Sequence, residues 1–136
     1  MSAEENKQLV RRFLQRAWNE GNLGIVDELL SPLFCRHLAT SPYLLSREGQ
    51  RQSIFNITQA FANFHLAVED MLADGDKVVF RGLLRGTHVC PFRHIQPTHR
   101  DIVLMVIGIV RVEDGQIVEQ WGGVNDLDLM HELAAE

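Results

Sequence analysis

The chain changes its hydrophobic period halfway along. In the first half, apolar residues recur at three- and four-residue steps; in the second, at every other residue. The first spacing predicts buried helix faces and the second predicts half-buried strands. Leu9, Val10, Phe13, Leu14, Ala17 and Trp18 make one stripe. Ser2 stands three residues before Glu5, the spacing of a capping box, and Gly21-Asn22 end the predicted helix. A short second helix, "LGIVDELL", stops at Ser31-Pro32. "LFCRHLA" is mixed and reads as an irregular strand or a turn. Ser46 caps a third helix, "REGQRQSIFNITQAFANF", whose buried face is Ile54, Ile57, Phe61 and Phe64. Gly49 weakens its first turn by about 1 kcal/mol.

After Phe64 the pattern predicts four strands: "HLAVEDML", "DKVVFRGLLRGTH", "RDIVLMVIGIVRV" and "GQIVEQWGGV". "ADGD" and "EDGQ" place Asp-Gly between them, a hairpin signal. The third strand is the most apolar and belongs in the middle. "DLDLMHELAAE" predicts a C-terminal helix. Three helices followed by an antiparallel sheet make an α+β domain, one unit over residues 1–136. A long twisted sheet can curl around its helices and enclose a conical pocket.

Strand alternation assigns side chains to faces. Val78, Phe80, Gly82, Leu84, Gly86 and His88 share the more apolar face of the second strand and point inward. His88 then serves either as a core residue or as a pocket group. In the last strand, Ile117, Glu119, Trp121, Gly123 and Asn125 share one face and Asp126 falls on the other. A bulge at Gly122-Gly123 would reverse that register and bring Asp126 to the Trp121 side. Trp18 is either a cavity wall or core packing of the first helix.

The 136 residues suit one domain, and 46% hydrophobic content supports a core. A formal charge of −5 argues against a nucleic-acid partner, although Arg81 and Arg85 share a strand face. The longest apolar run, "IVLMVIGIV", is too short to span a bilayer as a helix, and no signal-peptide pattern opens the sequence. Cys35 and Cys90 match no CxxC motif. The expectation is a cytoplasmic protein without membrane partners. His88, His94 and His99 cluster around Cys90 but match no compact zinc motif, so no metal is expected. There is no nucleophile elbow, no phosphate loop and no dinucleotide fingerprint.

"ADGDKVVFRGLLRGTHVCPF" followed by "QPTHRDIVLMVIGIVRVEDGQIVEQWGGVNDLDLM" resembles the SnoaL-like polyketide cyclase family, part of the larger group with the nuclear transport factor 2 fold. The resemblance spans nearly the whole chain. It implies a cone-shaped α+β barrel, a curved antiparallel sheet wrapped around the N-terminal helices. It also implies intramolecular aldol chemistry on an apolar carbonyl compound, without metal or organic cofactor, in a homodimer. The family's proposed acid/base aspartate, four residues after the tryptophan, falls on Asn125 here. His37, His88 and Trp121 match family positions, whereas Cys90 and His99 stand where glycine is common.

The Asn125 departure decides how function is read. A carboxamide can hydrogen-bond to an enolate but cannot take a proton at neutral pH. The base must then be Asp126, or His37 or His88, with Asn125, Trp121, Trp18 and Phe80 lining the pocket. The expected protein is a cofactor-independent cyclase or isomerase. The alternative is a small-molecule-binding or dimerisation module that has lost its proton chemistry.

Overall fold

In the computed structural model, which describes residues 1–38 and 44–134, the Ser2 hydroxyl accepts from the Glu5 amide and the Glu5 carboxylate accepts from the Ser2 amide. That reciprocal cap opens helix α1, Ala3–Phe13. The stripe continues through a π-helical extension, Leu14–Asn19, so that Trp18 stays buried and stacks on Phe64. Gly21, at φ 65°, ends it. Helix α2 is Gly24–Leu29, and α3, Arg47–Ala60, begins at a Ser46 cap. Helix α4 is Asp126–Ala134; positions 135 and 136 of the predicted helix, and Ala39 of "LFCRHLA", lie outside the described residues. No described helix is long and apolar enough to cross a membrane.

Among the described residues there are six strands, two more than the four segments read as strands from the sequence. They are β1 Leu30–His37, β2 Leu44–Ser46, β3 Phe61–Asp74, β4 Lys77–His88, β5 Asp101–Glu113 and β6 Gln116–Gly122. Their order is β2-β1-β6-β5-β4-β3, with apolar β5 inside, as expected. The β4–β5 register runs without a shift from Lys77↔Arg111 to Thr87↔Asp101.

Two expectations need correction. The sheet is mixed, because β1 and β6 run parallel, and it is open: β2 and β3 form its two edges and do not pair with each other. The cone-shaped barrel of antiparallel strands is therefore not the architecture. Helix α3 also stops at Ala60. Asn63 adopts φ 55° where the β3–β4 register shifts between Ala62 and His65. This bulge keeps Phe61 and Phe64 on the core side at a spacing that imitates a helix.

The inner face of the sheet and α1, α2 and α3 enclose one hydrophobic core, which includes Val10, Phe13, Trp18, Ile54, Ile57, Phe80, Leu84 and Ile117. Gly108 is needed there, since a Cβ would sit 2.7 Å from the Phe80 ring. The outer face carries no helix across Val103, Met105 and Ile107 of β5, each about half exposed.

Candidate functional site

The site is built from the crossing of β1 with the end of β6. Burial alternates along β1, so Phe34 and Arg36 face inward while Cys35 and His37 face outward. An arginine on the inward row must have its charge and donors satisfied without water. Arg36 is 1% exposed. Its Nε donates to the Gly122 carbonyl at 3.0 Å and its Nη1 to Gln50 Oε1 at 3.0 Å. Its Nη2 donates to the Val124 carbonyl at 2.6 Å and to Asn125 Oδ1 at 2.8 Å. All four acceptors are neutral. Burial lowers the guanidinium pKa to about 10, and the nearby Asp126 charge opposes that shift. The group stays cationic at pH 7.

The glycine pair presents those acceptors. Gly122 and Gly123 adopt φ 70° and 99°, and a Cβ would meet the Ile107 carbonyl at 2.7 Å or Gln120 Nε2 at 2.5 Å. Only glycine fits both the angles and the space. The pair turns the chain off β6 and carries Val124 and Asn125 over Arg36. The bulge itself lies earlier than expected. Arg111 pairs with Glu119 and Val112 with Ile117, so Val118 is the extra residue. Ile117 is consequently core, while Glu119 and Trp121 face outward with His37.

A cavity of about 530 Å³ opens above Arg36, between α3, the end of β1 and α4. Its polar wall includes Arg36, Gln52, Asn56, Asn125, Asp126 and Arg93; Leu45, Leu127 and Met130 supply apolar surface. Asp126 is the first residue of α4, where the helix dipole favours a carboxylate. Arg93 Nε and Nη2 both donate to Asp126 Oδ2, at 2.9 and 2.5 Å. Oδ1 takes part in neither bond. Asn125 Nδ2 reaches Asp128 Oδ2 at 3.4 Å.

The expected site residues divide among three places. Asn125 and Asp126 line the cavity together. His37 and Trp121 stack on the opposite side of the sheet, with ring centroids 5.1 Å apart and planes 5° apart. There His37 Nε2 lies 2.6 Å from Glu119 Oε2, and Arg111 Nε donates to Glu119 Oε1 at 3.0 Å. His37 and then Arg111 hold the Glu119 carboxyl below its usual pKa against the effect of burial. Trp18, Phe80 and His88 lie in the interior. The Thr98 amide donates to His88 Nδ1 at 3.0 Å, which puts the proton of the neutral ring on Nε2. That Nε2 is buried and has no hydrogen-bond partner among the described residues. Burial lowers the His88 pKa; the Cys90 backbone opposes this and the His99 charge adds to it.

Sequence reasoning missed Arg36, Arg93 and Gln50. Arg36 lay in the mixed run "LFCRHLA", where Phe34 and Arg36 share strand parity, a usable if weak signal. Arg93 lies in the segment between β4 and β5, and no periodicity could have placed it opposite Asp126.

The comparisons with known proteins agree with this architecture. The family described as SnoaL-like polyketide cyclase matches residues 8–133. A candidate SnoaL-like polyketide cyclase from Jannaschia sp. superposes with a TM-score of 0.86 at 20% identity, covering 98% of this chain and 94% of that one. AclR from Streptomyces galilaeus, described as a candidate hydroxylase, gives 0.83 at 26% identity, covering 97% of each chain. TsrD from Streptomyces laurentii gives 0.82 at 27% identity, covering 100% and 99%. No curated protein matches the chain.

Proposed function

Because the chain belongs to the SnoaL-like polyketide cyclase family, we propose that it catalyses a cofactor-independent aldol cyclisation or isomerisation of a small apolar carbonyl compound. The observation that carries this reading is the Asp126 carboxylate on the cavity wall, beside Asn125 and above the buried charge of Arg36. The cavity volume suits a small molecule.

That geometry supports the following route. Asp126 Oδ1 takes a proton from the carbon next to a carbonyl. The C–H electron pair becomes the enolate, whose oxygen is stabilised by the Arg36 charge and the Asn125 carboxamide. The enolate carbon attacks a second carbonyl of the same molecule, a C–C bond forms, and the new alkoxide recovers the proton from Asp126. Isomerisation uses the same first step and returns the proton to a different carbon. Arg93 aims the carboxylate by fixing Oδ2. His37 and His88 take no part in this route.

The test is an assay of cyclisation and isomerisation over a panel of small keto esters. Asp126→Asn should lose about 10²–10⁴-fold in turnover while retaining ligand binding. A second reading, a binding module without turnover, is favoured by one observation: the Asn125 carboxamide at the family's aspartate position is engaged by Arg36. Inactivity of wild type across the panel would favour that module, whereas equal activity of wild type and Asp126→Asn would remove Asp126 as the base.

We also infer a homodimer formed through the outer sheet face. Val103, Met105 and Ile107 are exposed along β5, and Leu72 is 70% exposed on β3. Light scattering at micromolar concentration should give twice the chain mass, and Met105→Asp should halve it.

A further inference from the structure

The outer face of the β1–β6 pair carries a polar cluster that the proposed reaction does not use. Cys35 and His37 are two residues apart on β1, so both side chains leave the same face. Glu119 is the residue paired with Cys35 across the parallel ladder. The Cys35 thiol, the His37 imidazole and the Glu119 carboxylate each place one ligand-capable atom within 4.8 Å of the other two. No other group of three such side chains converges this way among the described residues.

We propose that Cys35, His37 and Glu119 form a binding site for one zinc-class divalent ion, with the fourth position open to water. The donor set chooses the metal. Thiolate and imidazole favour zinc and its borderline neighbours, whereas calcium and magnesium need more oxygen ligands than one carboxylate supplies. The geometry is close to what such an ion requires. Bond lengths of about 2.0–2.3 Å put tetrahedral donors about 3.3–3.6 Å apart. No pair, all lying within 4.8 Å, need close by more than about 1.5 Å. The His37 Nε2 and Glu119 Oε2 atoms, now 2.6 Å apart, must separate by less than that.

The surroundings already orient the ligands. Arg111 holds Glu119 Oε1 and leaves Oε2 turned toward His37. Trp121 stacks on the imidazole and fixes its plane. Neighbours that orient ligands in this way characterise built metal sites. Binding displaces protons in a defined manner: the Cys35 thiol releases one, and the proton on His37 Nε2 leaves or moves to Nδ1. Arg36, between Cys35 and His37, points to the other side of the sheet, so this site stands apart from the cavity and does not depend on the reaction proposed there.

The experiment is titration of the reduced, full-length protein with cobalt(II). Binding of one equivalent should produce a sulfur-to-cobalt charge-transfer band and the visible bands of a tetrahedral ion, and one equivalent of zinc should abolish both. Cys35→Ser should remove the charge-transfer band. Glu119→Gln keeps the size of the side chain and an acceptor for Arg111, and it should weaken cobalt binding at least about tenfold. His94→Gln with His99→Gln should leave binding unchanged, and circular dichroism should confirm that each variant is folded. Absence of the charge-transfer band in wild type, its survival in Cys35→Ser, or unchanged affinity in folded Glu119→Gln would overturn the site.

Discussion

Residues 35, 36 and 37 send three polar side chains from one strand into two unlike environments. On the inner side, Arg36 is sealed from water and bound only by neutral oxygens. On the outer side, the half-exposed His37 meets a carboxylate that also binds Arg111. The difference is one of compensation. A buried cation needs every donor matched, because each orphaned partner costs its full desolvation energy. The outer charges keep some water and settle for pairing. The inner arrangement is therefore rigid and suited to presenting a fixed field to a ligand, while the outer one can rearrange.

Substitutions should separate the two sides most sharply at Arg36. Arg36→Met takes the guanidinium donor from four oxygens, those of Gly122, Gln50, Val124 and Asn125, of which the Gln50 and Val124 contacts are buried. Denaturant unfolding should register a loss of about 3–5 kcal/mol; a loss below about 1 kcal/mol would mean that the inner network is not under tension. Gly123→Ala follows, because its φ of 99° and the close Gln120 amide both resist a side chain. About 1–3 kcal/mol is expected by the same measurement.

The titrating groups extend the contrast. His88 has its pKa lowered in the fold, so between that lowered value and its ordinary 6.5 the unfolded chain binds more protons. Stability should decline as pH falls through 6.5, and His88→Gln should flatten that part of the curve. Glu119 has the same sign in a more acidic window, but for the opposite reason: its charged form is favoured in the fold, whereas that of His88 is disfavoured. The lowered Glu119 pKa contributes stability that is present above 4.5 and lost as pH falls through the folded value. Glu119→Gln should flatten only this more acidic arm, by less than about 1 kcal/mol, as befits a partly exposed pair. Equal effects of the two variants in the same pH window would remove the distinction between the faces.

Much of the fold was legible because its signals are local. The Ser2–Glu5 cap, the α1 stripe and the Asp-Gly hairpins are each decided by residues a few positions apart. Asn63 and Val118 were not legible. Each is a single extra residue whose bulge is fixed by the partner strand, and each reverses the face assignment downstream. The mixed character of the sheet was hidden too, since the parallel pairing of β1 with β6 joins segments more than eighty residues apart. At the site, the glycine pair turns the chain as its composition suggested, but the bulge lies at Val118, and Asp126 comes to the Arg36 side of the sheet rather than to that of Trp121. The Arg36 cation that organises the cavity was missed, because its partners are two backbone carbonyls and two neutral amides, and no charged residue type announces them.

The central claim is that the Asp126 carboxylate moves protons in the cavity, and it can be tested without knowing the natural substrate. Wild type and Asp126→Asn would be incubated in D₂O with small keto esters, and deuterium incorporation next to the carbonyl followed by NMR. The account predicts accelerated exchange by wild type and a loss of about 10²–10⁴-fold in the variant. Exchange that proceeds equally in both, or in neither, would contradict it.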